Sequence, residues 1–310
     1  MNSEKYLCQL CGASEFEKIK DYSFTSEIFK NKSIVECKKC TLKFIYPMPS
    51  KNSLNQYNKK YFLNAHKDLK IDKIAETYFN CIAKCRIKFL EKFLKFNKLY
   101  IKEVLEIGPG KGYLYENFKN KENINYSVLE TDIDSQKKFK QKNLKIYNNH
   151  FEIEENKFDL IIFSHVLEHV DNPNIFLTNI NKFLKKDGVI FMEVPCLDYL
   201  FKELLEPHLL FYDKKTLSLM LNKNNFSNHQ ISYFGKKISD MTKNTLIKKV
   251  KQKILTLILK LNLIFLIKID SKIDYDFLEN KYEKIIADIY EMNSEQDQPS
   301  FWIRAVAFKN

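Results

Sequence analysis

Apolar runs of strand length alternate with helix-length stretches through the middle of the chain, and this alternation limits the possible folds more than any other feature. The runs lie at residues 103–107, 126–130, 158–163 and 189–194. Strands that are apolar throughout and are separated by helices are typical of a parallel sheet that is covered on both faces. Two further runs, at residues 228–234 and 301–308, are expected to complete the sheet. The predicted fold class is therefore α/β.

The chain of 310 residues divides into three segments. Residues 1–50 contain two cysteine pairs and end at the turn-forming sequence YPMPS, which predicts a small separate module. Residues 51–100 are expected to form a helical linker or lid, because apolar residues recur at helical spacing from 71 to 98. That amphipathic helix is also expected to pack on the sheet. Residues 101–310 form the α/β domain, with an insertion at 236–299 that is long enough to contain helices of its own.

Two CxxC pairs, Cys8 with Cys11 and Cys37 with Cys40, have the spacing of zinc knuckles, in which each pair supplies two thiolates to one ion. Four protein ligands leave no position open for water, so the predicted Zn²⁺ is structural and stabilises a segment too small to build its own core. Cysteine usage of this kind fits a reducing compartment better than a disulfide framework. Since no apolar segment follows Met1, a cytoplasmic location is expected.

The formal net charge of +12 could indicate an acidic partner. Lysine is distributed along the whole sequence rather than in a patch, so nucleic acid is not the expected partner. Residues 254–269 are strongly apolar, but Lys260 and Lys268 interrupt them and they fall short of the ~20 residues of a transmembrane helix. A packing or dimerisation helix is favoured there over contact with a membrane surface. The sequence leaves the oligomeric state open.

A glycine loop follows the first strand of the α/β domain, in the sequence EVLEIGPGKG at residues 103–112. Gly108, Gly110 and Gly112 would let a ligand lie against the backbone, but their spacing differs from the GxGxxG pattern of nicotinamide dinucleotide sites. Glu106 suits the positive end of S-adenosylmethionine, which carries a sulfonium and an ammonium but no phosphate. Glu130, which ends the next run, is placed to accept hydrogen bonds from ribose hydroxyls, and a helix N-cap or a surface acid is its alternative role.

Two segments downstream extend this pattern. FDLIIFSHVLEHVDNP at 158–173 resembles the fourth motif of class I S-adenosylmethionine methyltransferases, and LKKDGVIFMEVP at 184–195 resembles the segment that follows it. The resemblance extends over residues 100–235 and implies the Rossmann-like sheet of that class. CKKCTLKFIYPMP at 37–49 and EPHLLFY at 206–212 look like segments of a subgroup that methylates deoxysugars and surface glycans. In sugar C-methyltransferases Glu and His are expected to be adjacent, whereas Pro207 separates them here.

Within this resemblance, several side chains are expected to contact the cofactor. Ser164 and His165 lie at the end of the fourth-motif strand, where His165 could also contact the acceptor. Phe151 is a candidate neighbour of adenine, with core packing as its alternative role. The sequence HVLEH at 165–169 also matches a signature of inverted zinc proteases, but it directly follows a strand in a methyltransferase frame, so the protease interpretation is rejected.

The expected catalytic residues are His208, Glu206 and Tyr212 of the EPHLLFY segment, together with His165. His208 is the leading base, because the unperturbed pKa of histidine is close to neutral, and a structural hydrogen bond is its alternative role. Glu206 is expected to orient His208, and Tyr212 to help hold the acceptor. Tyr57 and Tyr61, by the resemblance, could reach over the cleft.

The sequence therefore predicts methyl transfer from S-adenosylmethionine to a small hydroxylated acceptor, a sugar or nucleotide sugar, with O-methylation favoured over C-methylation. One alternative is an RNA methyltransferase that binds RNA through the zinc module. That enzyme would show clustered arginines there, and residues 1–50 contain none. The other alternative is a non-catalytic interaction protein, against which the intact glycine loop and both acids argue.

Overall fold

The computed structural model describes residues 6–66, 72–118, 123–242, 246–261, 263, 266–267 and 272–310. A four-stranded antiparallel sheet lies at the amino-terminal end. Its order is β1 (Phe16–Asp21), β2 (Ser33–Cys37), β3 (Lys43–Tyr46) and β9 (Leu210–Phe211). Strand β9 comes from the α/β domain, and its pairing with β3 sets Lys43 opposite Phe211 and Phe44 opposite Leu210. Residues 6–50, which we call the four-cysteine module, therefore share a sheet with the α/β domain.

The second sheet has eight strands and forms the centre of the α/β domain. Its order across the sheet is β11 (Glu295–Gln296), β10 (Phe226–Lys237), β12 (Ser300–Lys309), β8 (Leu184–Pro195), β7 (Phe158–Ser164), β4 (Glu103–Ile107), β5 (Asn125–Leu129) and β6 (Lys145–Tyr147). All six apolar runs identified in the sequence are strands. Strands β4 to β8 are parallel, whereas β12 runs antiparallel to both β8 and β10, so the sheet is mixed.

The helices begin where a polar side chain can accept a hydrogen bond from a free backbone N–H, as at Asp72, Asp132, Asn172, Asp213 and Asn280. The helices are α1 (Lys51–Asn58), α2 (Tyr61–His66), α3 (Lys73–Phe96), α4 (Tyr113–Phe118), α5 (Ile133–Gln141), α6 (Pro173–Phe183), α7 (Lys214–Lys223), α8 (Ile238–Thr242), α9 (Leu246–Lys260) and α10 (Lys281–Ile289). Single 3₁₀ turns at Leu167–His169 and Asp198–Leu200 follow β7 and β8.

Helix α3 is the long helix predicted at 71–98, and it packs on one face of the large sheet. The ring of Phe89 lies 6.1 Å from that of Phe191 on β8 and 5.4 Å from that of Phe234 on β10. Only the first turns approach the glycine loop, where Phe79 stacks on Tyr113 at 5.8 Å. The predicted packing of this helix on the sheet is therefore confirmed, and α3 is a layer of the α/β domain and not a lid.

The other face of the large sheet is covered by α6 and α7. Leu177 of α6 and Leu217 of α7 are buried against the strands, in the same apolar cluster as Ile161 of β7 and Ile190 of β8. The core of the four-cysteine module, including Phe29 and Phe44, is continuous with this cluster. The module is therefore packed on the α/β domain as well as hydrogen-bonded to it.

Helices α8, α9 and α10 lie in the insertion predicted at 236–299. Helix α10 packs beside α3, where Lys84 Nζ lies 3.0 Å from Glu283 Oε1. Of the apolar segment 254–269, the structure describes α9 as far as Lys260 and then residues 261, 263 and 266–267, and the rest lies outside the described residues. Within the described part of the chain, no helix combines the length and apolar character needed to cross a membrane.

Candidate functional site

The glycine loop leaves β4 and turns back before α4. Gly108, Gly110 and Gly112 have φ angles of 63°, 59° and 83°, a region in which a Cβ causes strain. At Gly108 a Cβ would also lie 2.7 Å from Cγ2 of Val166, in the segment that follows β7. The loop is therefore held against the end of β7, at the carboxyl edge of the sheet, where ligands bind in doubly wound folds.

Glu106 is the fourth residue of β4, and its side chain is buried. The Tyr126 hydroxyl donates a hydrogen bond to Glu106 Oε2 at 2.7 Å. Burial raises the pKa of Glu106 to about 7, although the Tyr126 hydrogen bond and the charge of Arg86 act in the opposite direction. A positively charged ligand group near Glu106 would favour its ionised form.

Glu130 directly follows β5, and its side chain is also buried. Its Oε1 accepts a hydrogen bond from the backbone N–H of Asp132 at 2.8 Å. Asp132 is the N-cap of α5, because its carboxylate accepts from the backbone N–H of Ser135. The alternative roles of Glu130 as a helix cap or a surface acid are therefore wrong. Burial raises the pKa of Glu130 to about 7, so two buried carboxyl groups of similar pKa lie at the ends of adjacent strands.

Phe151 lies in a 3₁₀ turn after β6 and is 87% exposed. Its ring centroid is 4.0 Å from that of His150. Core packing, the alternative role for Phe151, is therefore wrong, and its contact with adenine stays a prediction.

Ser164 and His165 lie at the end of β7, at the predicted edge of the sheet. Ser164 Oγ is buried, with no hydrogen-bond partner among the described residues. Both ring nitrogens of His165 face carboxylates: Nδ1 is 3.1 Å from Glu168 Oε1, and Nε2 is 3.3 Å from Glu193 Oε1. Burial acts to lower the pKa of His165, but the two carboxylates outweigh burial and raise it. This pairing favours a protonated imidazole and argues against His165 as a base.

An ion-pair network that the sequence analysis missed fixes the end of β8. Glu193 is fully buried, and it accepts hydrogen bonds from Arg86 Nη2 at 2.6 Å and from Arg304 Nε at 2.7 Å. Burial acts to raise the pKa of Glu193, but the charges of Arg86 and Arg304 hold it well below its ordinary value. These are the only two arginines in the sequence, against a large excess of lysine. The use of arginine at only these two positions could have indicated a buried ion pair, since buried ion pairs favour the guanidinium group.

His208 lies in the loop before β9 and is mostly buried, with 8% of the residue exposed. Its Nδ1 is 2.8 Å from Oδ2 of Asp198, in the 3₁₀ turn after β8. The prediction that Glu206 orients His208 is therefore wrong, because Asp198 holds that position. Burial acts to raise the pKa of Asp198, but the charges of His208 and Lys202 hold it well below its ordinary value.

Glu206 instead anchors the four-cysteine module. Its Oε2 accepts hydrogen bonds from the backbone N–H groups of Thr25 at 2.6 Å and Ser26 at 2.9 Å. The Tyr57 hydroxyl donates to Glu206 Oε1 at 2.9 Å, and the hydroxyls of Thr25 and Ser26 also donate to the carboxylate. Burial acts to raise the pKa of Glu206, but these hydrogen bonds lower it. The segment that carries His208 is therefore fixed to the module by both Glu206 and β9.

The rings of His208, His169 and Tyr61 follow one another in a row. The His169 ring lies 4.8 Å from the His208 ring and 5.7 Å from the Tyr61 ring. Tyr61 therefore reaches the site, in line with the sequence expectation. Tyr212 does not, because it is completely buried in the core, so the structure contradicts its expected contact with the acceptor.

The four cysteines of the module converge. Cys8 Sγ is 3.5 Å from Cys40 Sγ, Cys11 Sγ is 3.4 Å from Cys37 Sγ, and all four sulfur atoms lie within 4.8 Å of one another. Tetrahedral zinc with Zn–S bonds of about 2.3 Å separates its sulfur atoms by about 3.8 Å. The cluster therefore has the donor set and the dimensions of a zinc–thiolate site.

Residues 78–231 match a family model described as a methyltransferase domain, and a search of curated proteins gives no match. The chain is similar to the structure of a SAM-dependent methyltransferase from Archaeoglobus fulgidus, with 18% identity over 72% of this chain and 94% of that chain and a TM-score of 0.43. It is also similar to phosphoethanolamine N-methyltransferase 2 of Haemonchus contortus in complex with S-adenosyl-L-methionine, with 15% identity over 72% of this chain and 52% of that chain and a TM-score of 0.42. The family match spans the glycine loop, both acids and His208, and it identifies the chain as a methyltransferase.

Proposed function

We propose that this methyltransferase acts on a small hydroxylated acceptor, a sugar or nucleotide sugar, and that it methylates oxygen. The observation that carries the proposal is the Asp198–His208 pair, at 2.8 Å, beside the cofactor loop. The segment after β7 links the two: the side chain of Val166 packs where a Cβ of Gly108 would lie, and the carbonyl of Glu168 accepts a hydrogen bond from the backbone N–H of Leu209 at 2.7 Å. A histidine held by a carboxylate is suited to remove the proton that a hydroxyl loses on methylation.

Bound S-adenosylmethionine supplies a methyl group that is already activated by its sulfonium. The glycines of the loop would let the cofactor lie against the backbone, because they carry no side chain and adopt the positive φ angles that the turn requires. Glu106 would hold the positive end of the cofactor, and Glu130 would accept hydrogen bonds from its ribose. Phe151 would contact the adenine, and Ser164 and His165 would contact the methionine part.

The protein's main contribution to such a reaction is to hold the acceptor in line and to exclude water. His208 Nδ1 faces Asp198, which leaves Nε2 to take the proton from the acceptor hydroxyl. Asp198, 2.8 Å from Nδ1, fixes the orientation of the ring. Glu206 acts indirectly, as a positioning residue that binds the loop carrying His208 to the four-cysteine module.

The four-cysteine module binds one structural zinc ion through Cys8, Cys11, Cys37 and Cys40. Four thiolates complete a tetrahedral site, so the ion takes no part in methyl transfer. Its role is to fix β2 and β3, and β3 pairs with the strand that follows His208.

The direct test is transfer of a labelled methyl group from S-adenosylmethionine to a panel of nucleotide sugars, with product analysis to identify the methylated atom. The His208→Asn variant should bind the cofactor normally but transfer at least about 10²-fold more slowly, since general bases contribute about 10² to 10⁴. Gly110→Arg should abolish cofactor binding. His229→Asn, on β10, is a matched control that should be fully active.

If the enzyme methylated RNA but no sugar, the proposed acceptor class would be wrong and RNA would take its place. Failure of the well-folded, zinc-containing protein to bind S-adenosylmethionine would favour a non-catalytic protein. Full activity of His208→Asn would show that His208 is not the general base.

A further inference from the structure

A second group of metal-binding side chains lies at the site itself, apart from the four cysteines. Glu168, His169 and His208 each offer one ligand atom, and these atoms all lie within 4.8 Å of one another. Glu168 and His169 come from the 3₁₀ turn after β7, and His208 comes from the loop before β9. Ligands on two separately anchored segments can approach one ion from different directions.

Each histidine has a partner that fixes its ring. His169 Nδ1 lies 3.3 Å from the carbonyl oxygen of Pro207, and His208 Nδ1 lies 2.8 Å from Asp198 Oδ2. A proton on His169 Nδ1 satisfies the Pro207 carbonyl, and the carboxylate beside His208 Nδ1 favours the tautomer with the proton on that nitrogen, so each Nε2 keeps its lone pair. Histidines that bind metals are commonly held in this way, with a carbonyl or a carboxylate behind the ring.

The carboxylate of Glu168 provides the second observation. Only 1% of Glu168 is exposed, and one oxygen, Oε1, faces His165. The other, Oε2, is buried and has no hydrogen-bond partner among the described residues. A buried carboxylate oxygen without a partner is costly, and a cation beside it would remove that cost.

We propose that Glu168, His169 and His208 bind one divalent ion of the first transition series. Two imidazole nitrogens and one carboxylate oxygen suit Zn²⁺, Co²⁺ or Fe²⁺, whereas Mg²⁺ and Ca²⁺ prefer oxygen ligands alone. Three protein ligands also leave coordination positions open for water or for an acceptor oxygen. Tyr61, whose hydroxyl lies 3.4 Å from His169 Nε2, would turn aside as the ion binds.

This site has a consequence for the proposed base. The lone pair of His208 Nε2 can bind the ion or receive the acceptor proton, but it cannot do both. The ion therefore competes with the proton-accepting role of His208, and a loaded site would transfer methyl groups more slowly. Metal binding itself needs neither cofactor nor acceptor, so it can be tested independently of the proposed function.

The experiment is a titration of Co²⁺ into the full chain after its cysteines have been loaded with zinc, followed by visible absorption and by metal analysis. Zinc holds its thiolate site more tightly than cobalt does, so added Co²⁺ reports on the second site. We expect one equivalent of Co²⁺ to bind, with no competition from excess Mg²⁺. His169→Gln and His208→Gln should each weaken binding about tenfold or more, and Asp198→Asn should weaken it about 10- to 100-fold through His208.

His229→Gln is the matched control. His229 bonds to Ser218 of α7 and is not one of the three ligands, so this variant should leave Co²⁺ binding unchanged. Circular dichroism and the zinc content show whether each variant is folded. Absence of Co²⁺ uptake beyond the zinc-filled cysteines would overturn the proposal. So would Co²⁺ binding that stays at full strength in both folded variants, His169→Gln and His208→Gln.

Discussion

The affinity for S-adenosylmethionine should rise with pH between about 6 and 8, in the range set by two buried carboxyl groups. Burial raises the pKa of Glu106 and of Glu130 to about 7 each. If Glu106 must be ionised to face a positive group, and Glu130 to accept from the ribose, protons compete with the cofactor. A carboxyl of pKa about 7 is ionised in about a tenth of molecules at pH 6 and about nine tenths at pH 8.

The dissociation constant should therefore fall about tenfold over this range if one carboxyl must ionise, and by up to about 100-fold if both must. Stability of the cofactor-free protein should move the other way. Both folded pKa values lie above the ordinary value of 4.5, so the folded state holds more protons than the unfolded state. Its free energy of unfolding thus decreases as pH rises from about 4.5 to about 7.

Calorimetry at pH 6, 7 and 8 measures the effect. Tyr126→Phe removes the hydrogen bond that lowers the pKa of Glu106, so the midpoint of the binding transition should shift to higher pH. Glu130→Gln should make the dependence less steep. Glu103→Gln, at the opposite end of β4, is the matched control. A dissociation constant that is constant between pH 6 and 8, or a dependence that survives unchanged in both Glu106→Gln and Glu130→Gln, would refute this reasoning.

Three other perturbations follow from the structure. Glu193→Gln leaves Arg86 and Arg304 without their counter-charge, and urea denaturation should show a loss of about 3 to 5 kcal/mol in the free energy of unfolding; a loss under about 1 kcal/mol would mean that the network stabilises little. Glu206→Ala removes the anchor of the four-cysteine module, so limited proteolysis should cut the module faster than in the exposed control Glu203→Ala, and equal rates would argue against the anchor. Chelation of zinc should lower the melting temperature by roughly 5 °C or more, because metal binding contributes to folding free energy; an unchanged melting temperature would exclude a structural ion.

The strands of the large sheet could be predicted from sequence because their signal is local. Each apolar run is bounded by loop residues, and the glycine loop follows the first run directly. The direction of β12 could not be predicted, because an apolar strand gives the same pattern whether it runs parallel or antiparallel to its neighbours. The face-packing of α3 was also ambiguous, since an amphipathic helix can cover a sheet or a cleft.

The placement of Glu106, Glu130 and Ser164 at or near the ends of their strands was predictable for the same local reason, whereas the contacts of the EPHLLFY segment were not. Glu206 precedes His208 closely in sequence, so it was the natural choice of partner, but the chain turns between them and brings Asp198 to the histidine instead. The hydrogen-bond partners of Glu206 are Thr25 and Ser26, which lie in a distant segment of the chain. Contacts between distant segments leave no periodic signal, so they appear only once the fold is known.

The pairing of β3 with β9 has a consequence for how this enzyme could be recombined with its relatives. In a chimaera that exchanged residues 1–50 alone, β3 would come from the relative. It would have to pair with Leu210–Phe211 of this chain, and the new module would have to hydrogen-bond to Glu206 of this chain. A mismatch at either place would displace the loop that carries His208. The segment that can be exchanged is therefore discontinuous in sequence. Residues 1–50 and the loop at 205–212 must be exchanged together if the loop that carries His208 is to stay ordered.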